Sequence, residues 1–546
     1  MALRRNITPN FISVTLRRGE NKMMKMIEKE HLLLGVFTFS VRKIHKYIVV
    51  PLALALLGVS MSDAPVIAAP KAPKITQIYT TAETTTSAAV VWNTNIASDS
   101  LLQYSTSNPF PAYAPQVYLV SQVTLHDIQL DGLTPGTLYY FKVTSCSKRG
   151  CITATGSFET FPSCPDTVPP VSGYWQKVIS PNVGGATSVD NELLGVAAVS
   201  ENDVWAVGWA QDPNGPQYVK RTLIEHFDSN AWDIVGSPNP RGDTVSQLYS
   251  VSAASAKDVW AVGSSHNGSL PSRTLIEHWD GTQWSIAPSP SPDTQFNELR
   301  AVAASSTNDV WAVGYRGGTQ TEIPIETLIL HWDGASWSQV ASPNIAGGAN
   351  QLFGITAISA NDIWAVGTAV GAPLALHWNG SAWSIVSVRL GGGLSTEKLT
   401  AVSGSASNDI WAVGDAKGIF TNQTFATIVH WDGARWTEKV CRAASGSNPP
   451  EGYEGGGPDA YFTGVAAAAS NDVWAVGVLG SGPMILHWDG RAWTTVTHPR
   501  AFPNAATLRA VATSSGGSAW SVGVEIEVDP SGLVTPERTL IDRYTP

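Results

Sequence analysis

Charge is scarce in this chain: Asp, Glu, Lys and Arg make up only 14% of its 546 residues. Long solvent-facing helices need charged faces, and past the first 69 residues no stretch shows the apolar spacing of a helix. Cysteine is nearly absent, with four in all and no C-x-x-C pair, so no zinc-finger spacing exists. There is no H-E-x-x-H and no Gly-Lys dipeptide, which excludes a zincin site and a P-loop. Basic residues are missing where a nucleic acid would need them. Ten of the 34 Lys and Arg fall within residues 1–69, and the remainder carries a net charge of −16. Phosphate binding needs a basic face, so a nucleic-acid partner is not expected.

Long apolar runs are also missing, with one exception. "YIVVPLALALLGVSM" begins at Tyr47, behind Arg42, Lys43 and Lys46, and "VIAAP" follows it. A positive stretch, an apolar core and small residues make a secretory signal, and cleavage after Ala68 fits best. Residues 1–69 therefore read as a leader, with Met23, Met24 or Met26 as alternative starts. The core is short and interrupted by Pro51, so no membrane span is expected after cleavage. An uncleaved anchor is the competing reading. The expected location is secreted or cell-surface. In an oxidising compartment Cys146 and Cys151, which flank the turn "SKRG", are expected to form a disulfide, while Cys164 and Cys441 either pair or stay free.

What the sequence has in abundance is Gly (49), Pro (34) and Trp (21), the composition of short strands and tight turns. Residues 72–161 alternate short apolar runs with turns, which predicts a β-sandwich of seven short strands. "LTPGTLYYFKV" from Leu133 resembles the corner of a fibronectin type III domain. That resemblance implies that Tyr139 bonds back to the backbone and that Trp92 is the core tryptophan. The same pattern opens some secreted metallophosphoesterases, but no metal-ligand series follows it. "FPSCPDTVPPVSGY" reads as a Pro-rich linker over 162–173.

From residue 174 to 546 one unit repeats. "NDVWAVG" begins at Asn202 and recurs, with small changes, from Lys257, Asn308, Asn361, Asn408, Asn471 and Gly517. Each unit holds four alternating runs, typified by "LxxVAA", "VWAVG", "TLIEHW" and "WSxV", at a period of 46 to 63 residues. Four antiparallel strands at such a period are the mark of a β-propeller blade. The last unit lacks a fourth strand, and an orphan one, "YWQKVISPN", precedes the first. The expected architecture is therefore all-β, a β-sandwich followed by a seven-bladed β-propeller closed by an N-terminal strand. The repeat is similar to kelch-like and Asp-box-like propellers of secreted bacterial proteins, with "HWDGxxW" one residue shorter than an Asp-box and lacking its leading Ser. Nineteen of the tryptophans fall at repeat positions and are expected to pack between blades.

Strands that run up and down place the loops after strands one and three on one face, where "SxND" and "WDGxxW" barely vary. Asp203, Asp258, Asp309, Asp362, Asp409 and Asp472 are expected to bond their own turns. One carboxylate per blade is too dispersed for a calcium cage, and no metal or cofactor is expected. The loops of the other face differ in every unit, and diverse loops on a rigid scaffold mark a recognition surface. Candidate ligand-binding residues there are Trp209, Asp212, His266, Tyr315, Arg316 and Asp415. A catalyst must be singular, and no singular catalytic constellation stands out. The expected function is a secreted, monomeric, non-enzymatic binding or adhesion protein that recognises a glycan or an extracellular protein. The alternative is a carbohydrate-active hydrolase or lyase at the channel mouth, drawing on Asp212, Asp415, Glu525 and Glu527 or on the pair Tyr315–Arg316.

Overall fold

The computed structural model describes residues 72–81, 86–111, 113–160, 173–185, 189–216, 218–268, 271–318, 325–388, 394–418, 424–439, 459–496, 498, 505–526 and 535–546. Every regular element among them is a strand. The leader, Cys164, Cys441 and Glu527 lie outside the described residues.

The first five strands are β1 (Ile75–Thr81), β2 (Ser87–Ser105), β3 (Gln116–Asp131), β4 (Leu138–Ser147) and β5 (Gly150–Glu159). Seven short strands were expected and five are found, one of the two missing being lost to fusion within β2. "AAVVWNTN" and "SLLQYS" are two halves of β2, separated by register shifts between Asn93 and Ser98 and again before Ser100. The first half pairs with β1 through Ile78 and Trp92, and the second with β4 through Leu102 and Val143. Bulges of this kind bend a strand without ending it, so one strand serves both layers. Ala88, Val90 and Trp92 then close on Leu102, Phe141, Val143 and Phe158. Trp92 donates through Nε1 to Ser145 Oγ at 2.8 Å and stacks on His126 at 4.8 Å. Burial lowers the pKa of His126, whose ring nitrogens meet Thr94 Oγ1 at 2.9 Å and Ser100 Oγ at 2.7 Å. Tyr139 Oη accepts from the backbone N–H of Thr134 at 2.9 Å, the bond its corner position implies. Cys146 and Cys151 are directly opposed on β4 and β5 and joined as a disulfide.

The remaining strands form seven four-stranded antiparallel blades, of which the first two are joined into one sheet by a single parallel bridge between Val245 and Lys220. Their first strands are Asn191–Ser200, Val245–Ser255, Phe296–Ser306, Asn350–Ser359, Leu394–Ala406, Ala460–Ala469 and Ala506–Thr513. Each packs against the next, and the last packs against the first, so they ring the axis. Blade 7 takes its fourth strand from the front of the chain. β6 (Tyr174–Val178) pairs with Arg538–Thr545, placing Trp175 opposite Tyr544 and Val178 opposite Ile541. The closing strand is therefore the one the orphan repeat predicts, and it covers an edge that would otherwise be open.

Tryptophan holds the blades together. Trp205, on the second strand of blade 1, meets Trp279 at 5.0 Å and Trp284 at 5.3 Å on blade 2. The pattern runs round the ring to Trp474, which meets Tyr544 at 4.5 Å and Trp175 at 5.3 Å, and to Trp520, which meets Phe227 at 4.9 Å and Trp232 at 5.5 Å. All seven second-strand tryptophans are at most 2% exposed.

Candidate functional site

The repeated face is spent on itself. His226 Nε2 lies 2.8 Å from Asp203 Oδ1, and the same pair recurs as His278–Asp258, His331–Asp309, His377–Asp362, His430–Asp409 and His487–Asp472 at 2.7 to 2.9 Å. The Asp side chains were expected to bond their own turns. They reach across to the third strand, with Asp309 and Asp409 also accepting from Ser305 and Ser405 of their own turns, and each imidazole lies over the tryptophan of its own blade, as His226 does over Trp205 at 3.9 Å. The role of bonding turn backbone belongs to the next acid along: Asp280 Oδ1 accepts from the N–H groups of Thr282 and Gln283, and Asp333 and Asp489 act alike. Gly281, Gly334, Gly380, Gly433 and Gly490 hold φ of 90–93° in these turns, as expected. Blade 7 loses both partners together. Ser518 stands where the Asp would be and Arg543 where the His would be, with its guanidinium 4.9 Å from the Trp520 ring.

The inner edge carries a second repeated device. In every first strand the register slips by one at the same place, for example between Leu193 and Gly195, Leu299 and Ala301, and Leu508 and Ala510. The residues left over are Leu194, Tyr249, Arg300, Phe353, Thr400, Thr463 and Arg509, all half-buried. This bulge explains the glycine that ends each "VWAVG". A Cβ on Gly208 would lie 1.9 Å from the carbonyl oxygen of Glu192, and one on Gly263 would lie 1.8 Å from that of Gln247. The backbone is thus copied seven times to present side chains of five different kinds. Bulges re-aim side chains and gather beside sites for that reason.

Two of these residues are arginines, each beside a carboxylate. Arg300 Nη2 lies 2.6 Å from Glu298 and 3.0 Å from Tyr315 Oη, with its guanidinium 4.3 Å from the Tyr249 ring. Arg509 reaches across to Glu192 at 2.8 Å. Burial, then the Glu298 charge, raises the pKa of Tyr249 and of Tyr315, so both stay neutral phenols.

The six residues flagged in the sequence are not gathered at one point. Trp209 is 6% exposed, donates through Nε1 to Glu192 Oε2 at 3.0 Å and has Lys220 Nζ 3.3 Å over its ring. Asp212 pairs with Arg221 at 3.3 Å, and Asp415 with Lys398 at 3.1 Å. His266 Nδ1 accepts from the N–H of Gly268 at 3.1 Å. Tyr315 and Arg316 do not meet as a pair: Arg316 goes to Glu326 at 2.6 Å, whereas Tyr315 finds Arg300. Consecutive residues of a strand point to opposite faces, so sequence neighbours are the wrong place to look for a partner. Arg300, Tyr249, Glu298, Arg509 and Glu192 escaped the sequence reading. The signal for Tyr249, Arg300 and Arg509 was the first "x" of "LxxVAA", which reads Leu, Tyr, Arg, Phe, Thr, Thr and Arg between near-constant neighbours.

Fold and site together define the class: an all-β protein whose propeller exposes unrepeated side chains on a repeated frame. The family model described as the purple acid phosphatase N-terminal domain matches residues 73–160, the sandwich alone. Among the described residues no group of three or more His, Cys, Asp or Glu is placed to hold a metal ion. No curated protein matches the chain. A polysaccharide lyase of family PL25, an ulvan lyase, is 10% identical with a TM-score of 0.41, covering 64% of this chain and 93% of its own. A GH74 xyloglucanase from Xanthomonas campestris is 13% identical with a TM-score of 0.24, covering 83% of this chain and 70% of its own. A redesigned β-sandwich protein is 22% identical over 16% of this chain and 94% of its own, with a TM-score of 0.15. Likeness at these levels carries nothing about this chain's activity.

Proposed function

We propose that the chain is an exported binding or adhesion protein whose variable propeller face recognises a glycan or an extracellular protein. In this reading a leader (1–69) directs export, a fibronectin type III-like module (72–161) and a linker (162–173) act as a spacer, and a monomeric kelch-like or Asp-box-like propeller (174–546) does the binding. One observation carries the reading. The six His–Asp pairs bind the repeated face to itself, while the opposite loops share no sequence and five of the bulge positions, outside blades 5 and 6, carry Leu194, Tyr249, Arg300, Phe353 and Arg509. Side chains freed from the repeat are the ones a ligand can use. The Cys146–Cys151 bond supports an oxidising compartment. The alternative, a hydrolase or lyase at the channel mouth, would draw on a phenolate or an acid–base pair of carboxylates. The raised pKa of Tyr315 runs against a proton-abstracting phenolate. The test is a glycan-array and extracellular-protein screen of residues 70–546, with turnover assayed on every hit. Retention without product is expected. Product formation would favour the enzyme, and retention of no glycan or protein would end the binding reading.

A further inference from the structure

We infer that the inner rim at blades 2 to 4 is a subsite for a neutral pyranose ring, held by Arg300, Tyr249 and Phe353, with the buried Glu298 neutralising the guanidinium; this rests on the glycan half of the reading above. The bulge positions are not equivalent around the ring. In blades 5 and 6 they close on themselves, because Thr400 Oγ1 donates to the Phe462 carbonyl at 2.9 Å and Thr463 Oγ1 to the Leu508 carbonyl at 2.7 Å. In blades 2 to 4 the same positions carry Tyr249, Arg300 and Phe353, two aromatic rings and a guanidinium whose side chain is 32% exposed.

These groups are already in place. Tyr315 is 8% exposed, stacks on Phe296 at 5.5 Å and meets Phe353 edge-on at 6.3 Å. Its hydroxyl donates to Glu298 Oε2 at 3.2 Å and accepts from Arg300 Nη2 at 3.0 Å. The Tyr249 hydroxyl donates to Gln247 Oε1 at 2.9 Å, which fixes the ring under the Arg300 plane. A rim ordered before the ligand arrives loses little entropy on binding.

The chemistry suits one ligand class. The half-buried Arg300 guanidinium offers planar donors to the oxygens of vicinal hydroxyls, while Glu298, 5% exposed and engaged by Arg300 and Tyr315, sets the local charge. Half-buried aromatic rings offer an apolar surface for the C–H face of a sugar. Charge decides between neutral and acidic sugars. Glu298 lies 2.6 Å from Arg300 and cancels it, and Glu192 does the same for Arg509 at 2.8 Å. A uronate or sulfate would meet no net positive field there and would be repelled by the carboxylates.

The experiment is titration calorimetry of residues 70–546 with two oligosaccharide sets. One is neutral (gluco-, xylo-, manno- and galacto-oligosaccharides), and the other is anionic (oligogalacturonate and a sulfated oligosaccharide). Tyr249→Ala removes the apolar face, Arg300→Lys keeps the charge but loses the planar fork, and Thr463→Val in the closed sector is the control. Near-UV circular dichroism checks that each variant is folded. A neutral sugar is expected to bind, with affinity falling at least tenfold in Tyr249→Ala and in Arg300→Lys and unchanged in Thr463→Val. Neutral-sugar binding that survives both substitutions places the ligand elsewhere and overturns the subsite, while leaving the binding function intact. Binding of only the anionic set overturns the charge argument. Capture of an extracellular protein with no saccharide binding overturns the inference and leaves the protein half of the proposed function. If neither binds, both readings fall.

Discussion

Glu225 and Glu277 occupy one register in the third strands of blades 1 and 2, where blades 3 to 6 carry Leu330, Leu376, Val429 and Leu486. Both are 0% exposed. Each accepts one hydrogen bond from a serine that leaves the outer strand of the preceding blade, Ser180 to Glu225 at 2.8 Å and Ser237 to Glu277 at 2.9 Å. The second oxygen of each carboxyl has no hydrogen-bond partner. Burial pushes both groups up to about 8, against an ordinary value of 4.5. The folded protein thus keeps two protons at neutral pH that the unfolded chain has released. Stability from these groups is full below pH 4.5 and is lost as pH rises toward 8. At about 1.4 kcal/mol per pH unit, each group costs roughly 3 kcal/mol by pH 7 and roughly 5 by pH 8. A propeller of roughly 370 residues unfolds with an entropy near 0.8 kcal/mol/K, so each group lowers the melting temperature by about 4 °C at pH 7. Glutamine keeps the shape and the acceptor without the titration. Differential scanning calorimetry from pH 5 to pH 8.5 should show the parent losing about 10 °C more than Glu225→Gln/Glu277→Gln. Parallel curves for the two proteins would refute the assignment of these carboxyls as neutral acids.

Deleting residues 174–181 removes β6 and with it Trp175, which is 2% exposed against Trp474 and Tyr544. That ring alone is worth about 5 kcal/mol of burial, so the deleted chain should aggregate or melt far lower, whereas a cut at 166–170 should leave the propeller's melting temperature unchanged. Gly314→Ala would set a methyl 1.9 Å from the Glu298 carbonyl and force the bulge out of register. Expression and thermal melts should show a loss of about 3 kcal/mol or more. Asp309→Asn weakens the acceptor for both His331 and the Trp311 indole, at 2.7 and 2.8 Å, and denaturant melts should show a cost of about 1–2 kcal/mol. Peptide mapping of secreted material without reductant should recover Cys146 linked to Cys151; two free thiols there would contradict the bond.

Much of the fold was legible because repetition removes ambiguity. Seven copies of one strand pattern fix the blade, and an unmatched strand at each end fixes how the ring closes. The sandwich was less legible: nothing in "WNTNIASDSLL" reveals that the chain bends through Asn93–Ser100 without breaking. The candidate site was the least legible. Trp209 and Tyr315 drew attention as residue types, yet both are buried and partnered, and the half-buried guanidinium beside Tyr315 is Arg300, fifteen positions upstream.

The sequence by itself determined the number of blades, the packing tryptophans and which face repeats, since each is written in residues that recur at fixed positions. It also held the glycine of "VWAVG", but not the reason for it. Only the tertiary structure decided that this glycine makes room for a bulge, that Asp203 and its equivalents bind histidines of the third strand, and that Arg509 of blade 7 meets Glu192 of blade 1. Those partners are set by the alternation of side chains across a strand and by the closure of the ring, which brings residue 509 beside residue 192.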